Sequence, residues 1–158
     1  MTQSAGQQTS GRLPSNVGMI EATFTRLHES GRKALIPYVT GGHPDPTRSI
    51  ELLRGLEEAG ADVIEVGVPF SDPMADGPAI QASSQQALAN GMTFGRVLDL
   101  VAEAGLSIPV VLFTYLNPLI AAGSGLAGSY RCVIARRPAF DDWMDGAGWT
   151  KGLVVVAV

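Results

Sequence analysis

Three short apolar runs, at 34–40 (ALIPYVT), 62–66 (DVIEV) and 109–115 (PVVLFTY), alternate with segments whose apolar residues recur every three to four positions. Short apolar runs bounded by turn residues read as buried strands, and their alternation with helical periods spells βαβαβ, a parallel sheet with right-handed crossovers. Ahead of the first run, Ile20, Phe24 and Leu27 predict an amphipathic helix over 19–33, with Gly31 as terminator. Ile50, Leu53 and either Leu56 or Leu52 mark a second helix over 47–59, stopped at Gly60. Small and amide residues suit a short, partly exposed helix over 78–90, and Thr93 can cap a further one carrying Phe94, Val97, Leu98 and Val101. Pro37 is an objection to the first strand, because proline lacks a ladder donor and is confined to edges and bulges.

In such an architecture, whether an open sheet or a (βα)8 barrel, functional residues belong at the C-terminal ends of the strands. The polar clusters at 40–46, 65–76 and 115–117 fall there. Glu65 stands inside an apolar run, where an isolated charge is costly; it is either a buried acid paired with an Arg or backbone donors, or a catalytic carboxyl. The loop that follows holds Asp72 and Asp76, and three prolines, Pro69, Pro73 and Pro78, that lower the entropy cost of a fixed shape. Asp76, before Gly77, is either a turn-capping residue or a functional one, and Tyr115 either a core aromatic or part of a site. Gly41 and Gly42 lack the G-x-G-x-x-G spacing of a dinucleotide fingerprint. His43 has no nearby Cys or His, so no metal site is expected, and Cys132 has no partner motif.

The 158 residues suit one ordinary domain, and 46% hydrophobic with 16% charged residues is a globular composition. A net charge of −4 gives no basic field for nucleic acid, and no window approaches the roughly 20 apolar residues of a membrane span. One cysteine permits no intrachain disulfide. The expectation is a soluble, cytoplasmic protein. Residues 1–18 are polar and read as a flexible tail without signal-peptide features.

The segments PYVTGGHPDP at 37–46, ADVIEVGVPFSDPMADGPAIQ at 61–81 and YLNPL at 115–119 closely resemble, in wording, order and spacing, the alpha subunit of tryptophan synthase. The likeness runs over about residues 19–120. It implies a (βα)8 TIM barrel preceded by a short helix, which cleaves indole-3-glycerol phosphate to indole and glyceraldehyde 3-phosphate with no cofactor. It also implies docking on a tryptophan synthase beta subunit in an alpha2beta2 heterotetramer. By motif, Glu65 matches the family's catalytic glutamate and Asp76 the aspartate of its A-D-G-P loop. Tyr38, Thr40 and Tyr115 match substrate-pocket positions, Asp72 and Pro73 lie where the loop packs near the beta subunit, and Pro37 matches as well.

After about Ala122 the resemblance stops, and 123–158 reads as a divergent or frameshifted, truncated C-terminus of uncertain order. The expected α/β fold is therefore the N-terminal portion of a barrel over 19–122, about three to four strands. A complete barrel takes roughly 200 residues or more and draws its phosphate site from the loops after strands seven and eight. Impaired lyase activity is expected on that ground. The alternative is a noncatalytic half-barrel fragment that only binds a partner chain. A different phosphate-binding barrel enzyme using a Schiff-base lysine is weaker, since Lys33 and Lys151 sit poorly for it.

Overall fold

The computed structural model describes residues 16–73, 76–115, 117–118, 131–134 and 151–157. Of the expected tail over 1–18, the first fifteen residues lie outside the described ones, as does most of 123–158. The elements run α1 (Asn16–Glu29), β1 (Tyr38–Thr40), α2 (Pro46–Glu58), β2 (Ile64–Gly67), α3 (Pro78–Ala89), α4 (Phe94–Ala104), β3 (Val110–Tyr115), β4 (Arg131–Ile134) and β5 (Lys151–Ala157). One sheet has the order β1-β2-β3-β5-β4. Its first three strands are parallel, as the alternation predicts. β5 is antiparallel to β3, and β4 antiparallel to β5. This antiparallel pair extends the sheet within the segment read from sequence as divergent and of uncertain order.

The parallel strands are held by helices on one face. Ile64, Val66, Val110 and Leu112 alternate along β2 and β3 and pack against Leu53 of α2 and Val97, Leu98 and Val101 of α4, all at most 5% exposed. The helical spacing on α4 thus points at the sheet. On α2, Leu53 and Ser49 are buried, Leu56 packs against the core and Leu52 faces outward at 43% exposure, which settles the choice between them. On α1 the inward face is Thr23 and Leu27, one turn apart; Phe24 is 45% exposed, so the apolar stripe predicted through it is displaced by one residue.

Local chemistry sets the element ends. Asp45 caps α2 by accepting from the Arg48 N–H at 2.9 Å, and Thr93 caps α4 through the Arg96 N–H at 3.3 Å. α2 ends with the Ala61 N–H on the Leu56 carbonyl and the Gly60 N–H on that of Glu57, a turn that needs the positive φ of Gly60. Two α2 side chains then tie the next unit down. Arg54 donates to the Ala104 and Glu103 carbonyls at 3.0 and 2.8 Å, capping the end of α4. The Glu57 Oε1 accepts from the Ser107 N–H at 2.8 Å, the Ser107 hydroxyl at 2.5 Å and the Ile108 N–H at 3.2 Å, holding the entry to β3.

Strand β1 is shorter than its apolar run. Leu35 and Ile36 are 55% and 45% exposed, yet the chain before Tyr38 still lies along β2, with the Pro37 carbonyl accepting from the Glu65 N–H at 2.9 Å. Pro37 is tolerated because β1 lies at one edge of the sheet, so no described neighbour needs the donor that proline lacks.

Candidate active site

Parallel pairing aligns Tyr38 with Glu65 and Glu65 with Val111, then Thr40 with Gly67 and Gly67 with Phe113. Side chains alternate across a strand, so these residues and Tyr115 share the sheet face opposite α2 and α4. Along β3 that face is half-buried at Val111, Phe113 and Tyr115, while Val110, Leu112 and Thr114 on the other are buried. Glu65 therefore projects where water is partly excluded but present.

The carboxyl of Glu65 has no hydrogen-bond or ion-pair partner among the described residues, so the first of the two readings of this acid, a paired structural carboxylate, is not what is seen. Burial, with nothing to offset it, pushes its pKa above the ordinary value of 4.5. The protonated form thus survives to higher pH than in an exposed glutamate.

Asp76 reaches the same region from the loop between β2 and α3. The Tyr115 hydroxyl donates to its Oδ2 at 3.2 Å. Phe70 lies beside Tyr115, ring centroids 5.0 Å apart at an angle of 34°. The aromatic wall and the carboxylate are thus built together at the end of β3.

Tyr38 pairs with Glu65 across β1 and β2 and feels the charge of both acids. Burial raises the pKa of its phenol, a hydrogen bond with Thr40 pulls the other way, and the charges of Asp76 and Glu65 add to the rise. Its hydroxyl occupies the space that a Cβ on Gly67 would take, so the glycine is a condition of the tyrosine's placement. Thr40 is 6% exposed and its hydroxyl shares a 2.7 Å hydrogen bond with that of Ser83 on α3. Ser83 also donates to the Ile80 carbonyl at 2.9 Å, which tethers the first turns of α3 to the end of β1. Asp72 is exposed and Pro73 half-buried, on the outer part of the loop.

Thr40 and Tyr115 thus close β1 and β3, Glu65 lies within β2 with Tyr38, the first residue of β1, paired beside it, and Asp76 is on the loop that follows β2. Gly67, Phe70, Gln81 and Ser83 were not singled out from sequence. Gln81 and Ser83 sit in a run of small and amide residues that reads as an exposed helix face, and only their distance of one turn from the loop marks them. His43 has a buried Nδ1 with no hydrogen-bond partner among the described residues. Among the described residues no group of three or more His, Cys, Asp or Glu is placed to hold a metal ion, and no helix is long and apolar enough to cross a membrane.

The chain is similar to known proteins. A family model described as tryptophan synthase alpha chain matches residues 24–128. The tryptophan synthase alpha chain of Aromatoleum aromaticum is 56% identical over 107 residues, covering 66% of this chain and 40% of the relative. That of Burkholderia thailandensis is 58% identical over 103 residues, covering 63% and 38%. Among solved structures, tryptophan synthase subunit alpha from Legionella pneumophila superposes with a TM-score of 0.64 at 41% identity, covering 66% of this chain and 41% of that one. Tryptophan synthase from M. tuberculosis in an aminoacrylate-bound form gives 0.62 at 36% identity, covering 66% and 43%. The chain spans about 40% of the length of the curated relatives it matches.

Proposed function

This chain belongs to the tryptophan synthase alpha chain family, and from that premise we propose that it serves tryptophan biosynthesis as a carbon–carbon lyase acting on indole-3-glycerol phosphate. The reaction is a retro-aldol cleavage. One proton is delivered to C3 of the indole ring and one is removed from the hydroxyl on the adjacent side-chain carbon. The electrons of the bond between them return to the ring, releasing indole and glyceraldehyde 3-phosphate with no net change in protons.

The observation that carries this reading is the half-buried carboxyl of Glu65, which has no hydrogen-bond or ion-pair partner among the described residues and whose pKa is raised by burial, as suits a proton donor. Asp76 acts on the ring nitrogen. Its carboxylate accepts the indole N–H and stabilises the cation formed once C3 is protonated. Tyr115 and Phe70 supply an aromatic wall for the ring, and Tyr38 and Thr40 close the pocket from β1. Asp72 and Pro73, on the outer part of the same loop, face a beta subunit to which indole passes.

Indole release from indole-3-glycerol phosphate by the purified 158-residue chain, with and without added beta subunit, tests the proposal. Turnover that disappears in Glu65→Gln supports it; turnover unchanged in that variant removes Glu65 from the reaction. Half-exposed Val111 and Phe113 favour a second reading, a noncatalytic piece that binds a partner chain. A stable complex without turnover under any condition selects that one.

A further inference from the structure

The backbone of Asp76 is pinned from α3 while its carboxylate is pinned from β3. The Asp76 N–H donates to the Pro73 carbonyl at 3.1 Å. The carboxamide nitrogen of Gln81 then donates to the Asp76 carbonyl at 2.8 Å and to the Pro73 carbonyl at 3.4 Å. Its two hydrogens match these two carbonyls. The stem of Gln81 is itself fixed, because its N–H is bound to the Gly77 carbonyl at 3.0 Å in the first turn of α3. α3 is tethered in turn to β1 through Ser83 and Thr40. We infer that Gln81 is a positioning residue for Asp76, holding the loop so that the carboxylate, steadied by Tyr115, is presented to a ring N–H donor.

The assignment rests on the proposed role of Asp76 and extends it to a side chain that touches neither substrate nor reacting atom. A glutamine serving only to start the helix would influence stability and leave ligand choice alone. Recognition of an N–H separates the two roles, and benzofuran has the shape of indole without that donor. In equilibrium titrations of the 158-residue chain, indole is expected to bind about tenfold tighter than benzofuran, the effect of one hydrogen bond to a charged acceptor. In Gln81→Met the preference is expected to fall below about threefold while benzofuran affinity is unchanged, since methionine matches glutamine in length and helix preference but has no donor. Gln81→Glu, ionised and equally without a donor, is expected to lose the preference in the same way and serves if the methionine variant does not fold. Variants that fold and keep the wild-type preference overturn the inference. A wild-type chain that does not prefer indole overturns instead the role of Asp76 on which it rests.

Discussion

The hydroxyl of Tyr115, at the end of β3, donates to Oδ2 of Asp76 at 3.2 Å across 39 residues of sequence. It joins the third parallel strand to the loop after the second, and places an aromatic ring beside a carboxylate. Tyr115→Phe keeps the ring and its contact with Phe70 but removes the donor. Indole release is expected to fall by about tenfold, the worth of one hydrogen bond to a charged group, with little change in the melting temperature. Steady-state kinetics and a thermal melt on the same preparation check this, and an unchanged rate would mean that the bond does not serve the reaction.

Glu65 imposes a pH dependence on stability whose sign follows from its raised pKa. A folded-state pKa above the unfolded value means that the folded chain binds the proton more tightly. The resulting stabilisation is complete below the unfolded value of 4.5 and is lost as pH rises through the folded pKa. Glu65→Gln, neutral at every pH, escapes that loss. Urea unfolding at pH 4 and pH 8 is expected to show wild type and variant diverging at the higher pH, with the variant the more stable.

Glu57 works in the opposite sense. Hydrogen bonds from the Ser107 hydroxyl, then from the Ser107 and Ile108 amides, outweigh burial and hold its pKa below 4.5. Its contribution is present above the unfolded value and is lost as pH falls through the folded pKa. Glu57→Ala is expected to cost about 1 kcal/mol at neutral pH, a modest figure because the site is open to solvent. The same substitution is expected to cost less in acid, which urea midpoints on either side of the transition measure.

Leu52 and Leu53 are neighbours on α2 with opposite fates. Leu53 is fully buried, and Leu53→Ala is expected to cost about 2–5 kcal/mol through lost contacts and the cavity left behind. Leu52 is 43% exposed, and Leu52→Ala is expected to fall within about 0.5 kcal/mol of wild type. Denaturant titrations of the two variants side by side decide whether the helix is seated on this face.

The parallel core was legible because its physics is periodic. Val97, Leu98 and Val101 recur at the pitch of a helix, and the three apolar runs are too short to be anything but strands. Phe24 misled, since a stripe drawn through Ile20, Phe24 and Leu27 has the same spacing as the one through Thr23 and Leu27 that packs inward. Small polar residues such as Thr23 carry no hydrophobic signal even when buried. The antiparallel pairing of β4 and β5 depends on contacts distant in sequence, to which local pattern is blind. At the site, motif named Glu65 and Asp76, but that Glu65 has no partner among the described residues is a property of three-dimensional neighbours. Gln81 escaped notice because its bonds are to backbone carbonyls, which every sequence has.

Arg54 and Glu57 stand one turn apart on α2 and reach between them the last turn of α4 and the first residues leading into β3, some fifty positions further along. Melting α2 removes both sets of bonds together, so α4 and the start of β3 lose their ends in the same event. Amide hydrogen exchange would then report α2, α4 and β3 as a single cooperative block with a common opening free energy, rather than as a series of βα units that open in chain order.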